Sequence, residues 1–590
     1  MKLSPPFVLL DDARVNGAAS ARLYTDPVEI VTTRKPSEVA MALEVLRTAT
    51  RGGLHAAGFM AYEAGLALEP RLAVLPPVGF DVPLLWFGLF RDYREIASED
   101  VPAHLPAAAG AWLGKPVPDL NAASYAFKLN SVRNLITAGD IYQANLTFRG
   151  SVATAGHPLA LYAGLRARSA AGYGAVVATG DQWLLSLSPE LFFSLKGGRI
   201  RTRPMKGTAG RDTDPAALSA DPKQRAENLM IVDLLRNDLA RVAVPGSVVV
   251  PELFHVETYP TLYQMTSTIE ADLTPGRDAV DVLAAIFPCG SITGAPKIRA
   301  METVRAVEDS PRGAYTGAIG RIDAVAPAGS GATSDAAFNV AIRTLIINEG
   351  GHSARLGLGS GIVADSHTAS EWEECLAKGA FVPSDRRFDL IETMRFDADA
   401  GLLRLDRHLA RLRDSAAALG FMFDRHAARN ELQAATFRLR QGARVRLLLA
   451  PSGKVAVEVR PLPPMPTTPV AVRIVPLPVD DHDFRLRHKT TDRAFYDAPR
   501  RDVFEVVFES SGLVTEGSFT NVFVERDGVL LTPLLAMGSM SAGLLGGVLR
   551  NELIDEGQAR EAELRVLDLQ NGFFIGNSLR GLLPARLAGV

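Results

Sequence analysis

The sequence predicts two α+β regions joined in one chain, and three observations lead there. Apolar strand-like runs such as QWLLSLSPELFFSL (182–195) alternate with helical ones such as AENLMIVDLLRNDLARV (226–242). At 590 residues, 47% hydrophobic and 22% charged, the chain can bury more than one core. Near FVPSDRRFDLIETMRFD a helical pattern ends, Pro383 intervenes and an alternating strand begins at Phe388, which sets a boundary at 381–386 between regions 1–380 and 387–590. AVAPAGSGATSDA (324–336) reads as a surface loop, and PLPPMPTTPVAV (461–472) as a link between two subdomains of the second region.

A net charge of −3 with no long Lys/Arg run lacks the basic footprint of a nucleic-acid binder and leaves small-molecule chemistry as the expectation. The opening MKLSPPFVLLDDARVNG lacks the layout of a signal peptide, and no stretch of about 18 apolar residues follows. A cytoplasmic protein without a membrane segment is expected. Cys289 and Cys375 are the only cysteines, too few for a disulfide framework or a structural zinc site.

In the first region, SPELFFSLKGGRIRTRPMKGT (188–208) predicts a hairpin turning at Gly197-Gly198. Counting outward from the turn sets Glu190 opposite Lys206, to within one residue, an arrangement that also suits a plain cross-strand ion pair. In a helix expected over 223–242, Glu227 shares a face with Ile231, Leu234 and Leu235, and an acid on an apolar face wants a partner or a metal. Glu371 and Glu374 lie three apart on a later helix, directly after GLGSGIVADS. Carboxylates on separate helices suit Mg2+, while a solvated helix with Glu374 pairing to Lys378 explains the same spacing. FPCGSITGAPKIRAME (287–302) is a turn opening a helix near Pro296; its free N–H groups suit an anion, and a turn packed for its own sake is the alternative.

These stretches, in order with GDIYQANLTFR, RPMKGT, GAYTGAIG, FNVAIRT and GSGIVADSHTASEWEE, resemble the motif set of the chorismate-utilising enzymes over roughly residues 120–380. The resemblance implies an anthranilate synthase component I-like α/β sandwich, with Mg2+ held by Glu227 and Glu374 assisted by Glu371. It also implies substrate held by Arg343, Tyr315 and the Gly359–Gly361 backbone, with Gln143 and Ser291 in the binding set. Similar anthranilate synthases carry alanine where Lys206 stands, whereas lysine in P-x-K-G-T resembles aminodeoxychorismate synthase component I. Isochorismate and salicylate synthases place a water-activating lysine where this chain has Gln143. Lys206 is then the expected nucleophile, attacking ring C2 as the C4 hydroxyl leaves with help from Mg2+, before ammonia adds at C4. Glu190 is the expected general acid/base. Two departures stand out: Gln264 where relatives mostly have histidine, and Gln224 where they often have an acid.

In the second region, RLRHKTTDRAFYD places Lys489 in a polar stretch, GLVTEGSFTNVFV places Glu516 before an apolar strand, and SAGLLGGVLRNEL is a glycine-rich turn into a helix. A lysine, an acid and a phosphate nest are the parts that pyridoxal phosphate (PLP) needs, although each alone also fits a surface residue or an ordinary turn. With IETMRFDADAGLLRLDRHLARLRDSA they resemble the fold type IV PLP enzymes, a two-subdomain fold shared by branched-chain and D-amino acid aminotransferases and 4-amino-4-deoxychorismate lyase. The resemblance implies that Lys489 bonds the cofactor, Glu516 meets the pyridine nitrogen, and Arg411, Gly547, Val548 and Ser578 hold the phosphate. Leu549 departs from the threonine of many relatives.

The joined halves imply chorismate and ammonia converted to 4-amino-4-deoxychorismate, then pyruvate elimination to 4-aminobenzoate, a folate precursor. The alternatives are an anthranilate-type synthase, an aminotransferase-like second half, or a second half that binds PLP without turnover. Neither cysteine sits in a nucleophile-elbow setting, so ammonia is expected from a separate glutamine amidotransferase subunit, and a homodimer through the PLP half is the expected assembly.

Overall fold

The structure is a computed structural model that describes residues 3–588 apart from 74–78, 211, 259–261, 326–332, 383–387, 501–502, 538–539 and 542. By its internal packing the chain divides into one unit of residues 1–105, 115–152 and 162–383 and another of 106–114, 153–161 and 384–590. Most of the boundary expected at 381–386, and the middle of the loop expected at 324–336, lie outside the described residues. Two short segments of the first half, 106–114 and 153–161, count with the second unit. Among the described residues no helix is long and apolar enough to cross a membrane.

The first unit is a sandwich of two antiparallel sheets. One runs through the strands Gln143–Ala155, Ser353–Ile362, Thr344–Asn348, Gln182–Ser188, Tyr173–Ala178 and Phe7–Asp11; the other through Met205–Gly210, Leu262–Asp272, Arg199–Arg203, Leu191–Lys196, Ala336–Val340, Ala318–Ile322 and His55–Met60. Side chains alternate across each strand, so Val8, Val177, Leu184 and Ile346 from one sheet meet Phe59, Trp86, Phe90 and Ile319 from the other. Each such side chain, once fully buried, contributes about 1.5–3 kcal/mol. The second sheet's outer face is covered by the helices Val39–Arg51, Pro222–Ala240 and Ala279–Ile286.

Pro222–Ala240 starts where the sequence puts its signals: the Asp221 side chain accepts from the Gln224 N–H at 2.9 Å, and Pro222 opens the first turn. This fixes the helix so that Ile231, Val232 and Leu235 are buried.

The hairpin 191–203 turns at Gly197-Gly198, whose φ of 56° and 81° only glycine adopts without strain. Its pairing runs from Lys196↔Arg199 to Leu191↔Arg203 and stops at Pro204, which has no N–H to donate. Lys206 belongs to the next strand, Met205–Gly210, which pairs with Leu262–Asp272 instead. The expected register, with Glu190 directly opposite Lys206 on one hairpin, is thereby corrected.

In the second unit, Leu390–Asp397, Ala443–Leu449 and Val455–Pro461 form an antiparallel sheet covered by the helices Leu405–Ala418 and Arg425–Thr436. Residues 462–469 then lead to a mixed sheet in the order Leu513–Gly517, Glu505–Ser510, Val470–Pro476, Gly581–Leu587, Phe573–Asn577 and Asn521–Arg526, where Val470–Pro476 runs parallel to both its neighbours. The two sheets are the two subdomains that the proline-rich stretch separates.

Candidate active sites

A cavity of about 510 Å³ in the first unit brings together every residue singled out there: Lys206, Glu190, Gln143, Ser291, Tyr315, Arg343, Gly359, Gly361, Glu227, Glu371 and Glu374 all line it. Gln224 and Gln264 do as well. The glycines are needed for space. A Cβ on Gly361 would lie 3.1 Å from Lys206 Nζ and 3.0 Å from Gln143 Nε2, and one on Gly359 would lie 2.7 Å from the Leu146 carbonyl oxygen. Arg343 has a left-handed backbone (φ 50°), as does Thr316 (φ 60°) beside Tyr315, conformations that a non-glycine residue keeps only when its surroundings enforce them. The Gln143 Oε1 atom is buried without a hydrogen-bond partner among the described residues, an acceptor left for a ligand to satisfy.

Lys206 Nζ lies 3.1 Å from Glu227 Oε2, so its ion-pair partner is the helix acid rather than Glu190. Glu190 accepts a hydrogen bond from Ser291 Oγ at 2.6 Å. Burial pushes its carboxyl up to about 7, against the opposing pull of that hydrogen bond and of Lys206 and Lys378. Two side chains tie down the lysine's backbone. Asn228 Nδ2 donates to the Lys206 carbonyl at 3.3 Å, and Gln264 Nε2 donates to the Gly207 carbonyl at 2.8 Å. The position where histidine was the family expectation is thus filled by a residue that holds the lysine loop.

The carboxylates have partners of their own. Glu371 accepts from Ser366 Oγ at 2.7 Å, and Glu374 pairs with Lys378 at 2.7 Å, so the helical i+4 pair and a place on the cavity wall coexist. Burial works to raise Glu374, but Lys378, Lys206 and Lys223 hold it below its ordinary value. Among the described residues no three His, Cys, Asp or Glu side chains converge closely enough to form a ready-made metal cage. The all-oxygen donor set of Glu227, Glu371 and Glu374 nevertheless fits Mg2+, which takes one or two protein carboxylates and fills its shell with water and substrate oxygen.

The second unit holds a cavity of about 290 Å³ lined by Lys489, Glu516, Arg411, Gly547, Val548 and Ser578, again every residue singled out there. The Lys489 segment is docked by its backbone: Ile391 N–H donates to the Lys489 carbonyl at 2.9 Å. Burial and the nearby Arg411 hold the Lys489 ammonium down to about 7. Tyr496 O–H donates to Glu516 at 2.5 Å, and burial pushes the Glu516 carboxyl up to about 8. Gly547 caps the helix Val548–Asp555, and a Cβ there would lie 1.8 Å from Asn521 Oδ1, so a larger residue would displace the Asn521 side chain. Leu549 is buried with Phe523, Leu553 and Ala559; its departure from threonine supplies core packing. A basic lysine, a buried acid and a glycine-capped helix start fit PLP by donor chemistry and by space.

Several residues in these sites escaped the sequence reading. Glu392 is buried, accepting from Arg411 at 2.7 and 2.9 Å and contacting His408 Nδ1 at 2.6 Å, while His408 Nε2 meets Ser578 Oγ at 2.8 Å. Arg411 holds Glu392 down to about 2 despite its burial. The i, i+3 spacing of His408 and Arg411 was the available signal; their shared partner, a strand away, was not visible in it. Asn228 was legible only as one polar position on a mostly apolar face.

A family model described as chorismate binding enzyme matches residues 6–383, and one described as amino-transferase class IV matches residues 389–588. The chain is 40% identical over 294 residues to aminodeoxychorismate synthase component 1 of Salmonella typhimurium, covering 48% of this chain and 62% of that relative, so it spans about three-fifths of the relative's length. It is also 40% identical over 268 residues to anthranilate synthase component 1 of Streptomyces coelicolor, covering 44% of this chain and 50% of the relative. The crystal structure of anthranilate synthase component I from Streptococcus pneumoniae matches with a TM-score of 0.53 at 25% identity, covering 63% of this chain and 93% of that one. Overall identity therefore does not separate these two relatives. The chain belongs to the chorismate binding enzyme family, and a domain matching the amino-transferase class IV model follows in its second unit.

Proposed function

We propose that the first unit converts chorismate and ammonia to 4-amino-4-deoxychorismate and that the second eliminates pyruvate from it to give 4-aminobenzoate. The observation that carries the first step is a lysine amine, Lys206, on the wall of the same cavity as a carboxyl held near neutrality, Glu190. Lys206 first passes its proton to a neighbouring carboxylate; the uncharged amine then attacks ring C2, the double bond shifts, and the C4–O bond breaks as Glu190 gives its proton to the departing hydroxyl. Ammonia then adds at C4, the C2–N bond breaks, and Lys206 returns as the free amine. Glu227, Glu371 and Glu374 would hold Mg2+, which would neutralise substrate carboxylate charge. The name component 1 of the Salmonella relative supports an ammonia-supplying partner subunit.

In the second unit PLP supplies, when bound, an electron sink for a carbanion at the amine-bearing carbon. Lys489, with its amine poised near neutral pH, takes the C4 proton. Glu516 would meet the ring nitrogen, and Arg411, Gly547, Val548 and Ser578 would hold the phosphate. The enolpyruvyl group leaves as pyruvate while the ring becomes aromatic. Full-length protein given chorismate and ammonium should accumulate aminodeoxychorismate without PLP and release 4-aminobenzoate and pyruvate with it. Anthranilate as product would sink the first assignment, and aminodeoxychorismate persisting with PLP present would sink the second.

A further inference from the structure

The second unit's cavity carries more positive charge than its cofactor needs. Arg444, Arg500 and Arg580 all line it, from three separate segments of the chain. On the strands Leu390–Asp397 and Ala443–Leu449, pairing sets Thr393 against Arg446 and Arg395 against Arg444, so these four share the face opposite the apolar residues Met394 and Val445. Thr393 and Arg444 reach the cavity from that face.

Arg580 lies over the rings of Phe504 and Phe519, 5.5 Å from each centroid, and its Nε is buried with no hydrogen-bond partner among the described residues. Arg500 lies over Phe519 at 4.9 Å. Arg444 has Glu458 at 3.7 Å, an acid it shares with Arg460. Burial holds the Arg580 guanidinium below its ordinary value; Arg444 and Arg500 add to that effect, and Glu505 opposes it. Glu505 is already saturated by Ser518, Thr520 and backbone N–H donors. Arg444 and Arg500 each have one acid at long range, Glu458 at 3.7 Å and Asp497 at 3.6 Å, and both press their charge on Arg580, whose Nε donor is unused, so the three form a surface that an anion completes.

Two of the four residues assigned to the phosphate, Arg411 and Val548, extend beyond the arginine wall. Arg411, Leu545 and Val548 also line a neighbouring depression that Arg444, Arg500 and Arg580 do not line. We infer that Arg580, together with Arg444 and Arg500, is the carboxylate clamp of this cavity, selecting an amine that carries two carboxylates over a monocarboxylate amino acid. The inference rests on the second unit acting on aminodeoxychorismate, but it concerns recognition and not the elimination step.

The test uses the full-length holoenzyme and reads the absorbance band of the lysine-bound cofactor. Chorismate, a dicarboxylate with the same ring skeleton and no amine, should perturb that band saturably, and benzoate should do so far more weakly. R580Q and R444Q should each weaken chorismate binding roughly ten-fold or more while the affinity for PLP stays unchanged. Unchanged chorismate affinity in both variants, no saturable response in the parent protein, or a parallel loss of PLP affinity would each overturn the clamp. A parent protein that shows the arginine-dependent response yet releases no pyruvate from aminodeoxychorismate would break the lyase reading and leave the clamp standing.

Discussion

Lys206 sits 3.1 Å from the Glu227 carboxylate, whereas among the described residues no salt bridge reaches Lys489, whose ammonium is held down to about 7 by burial and Arg411. Each lysine shares its cavity with a buried acid raised toward neutrality, Glu190 to about 7 and Glu516 to about 8. The first cavity holds its lysine in an ion pair, and the second sets its lysine in low dielectric beside guanidinium charge. The same residue type is thus set up in two ways: an amine paired with Glu227, and an amine kept poised to lose its proton.

The comparison breaks most sharply by removing each lysine in turn. Lys206→Met should abolish amination, by roughly a thousand-fold or more, yet leave pyruvate release from supplied aminodeoxychorismate within a few-fold. Lys489→Ala should do the reverse and remove the cofactor's absorbance band. Separate assays of the two steps decide it. If either variant disables both steps while its melting curve stays intact, the two lysines do not serve two independent reactions.

A smaller effect is expected at Glu190. Glu190→Gln keeps the shape and the Ser291 contact but cannot supply a proton, so amination should fall by roughly 10²–10⁴-fold with pyruvate release unchanged. An amination rate within three-fold of the parent would remove Glu190 from the reaction.

The pH response should run in opposite senses in the two cavities. Amination needs Glu190 protonated, so its rate should decline as pH rises through about 7, and the Glu190→Gln variant should lack that limb. Attachment of PLP to the apoprotein needs the Lys489 amine free, so its rate should climb as pH rises through about 7. Stability follows the first sign. Glu190 has a folded value above the ordinary 4.5, so the folded state binds more protons than the unfolded one between those values. Its unfavourable burial is absent below about 4.5 and fully expressed above about 7, where it costs at most about 3 kcal/mol. Glu190→Gln should flatten that decline in denaturant titrations; a parallel pH profile for both proteins would contradict it.

What the sequence made legible was local. Glu227 was readable because a helix repeats every 3.6 residues, and Gly197-Gly198 because a two-residue turn between apolar runs announces a hairpin. The roles expected of the named residues came from motif order, which compresses long-range geometry into short strings. The register of Lys206 failed because counting across a hairpin assumes one continuous ladder, and Pro204 ends it. Glu392 and Arg580 stayed hidden for a related reason. Their meaning depends on His408, Arg411, Arg444 and Arg500, which only the folded chain brings beside them, and neither has a spacing that sets it apart from an ordinary surface charge.

The gentlest perturbation concerns how each lysine is anchored. The Lys206 carbonyl is held by Asn228 Nδ2 at 3.3 Å, and Asn228 Oδ1 in turn accepts from Ser267 Oγ at 2.6 Å. Asn228→Ala would strand a buried serine hydroxyl and the carbonyl beside it, costing about 1–3 kcal/mol of stability. The amination rate should fall by about ten-fold or less, because the lysine remains and only its placement loosens. Ser267→Ala removes one partner of the same chain of bonds, so the double variant should lose less than the sum of the two single losses. Full additivity in thermal melts would show that the two side chains do not act as one tether. The Lys489 carbonyl instead accepts from the backbone N–H of Ile391, a bond that side-chain replacement leaves in place. Replacing one side chain can therefore loosen the hold on the Lys206 carbonyl, whereas the hold on the Lys489 carbonyl survives any such change.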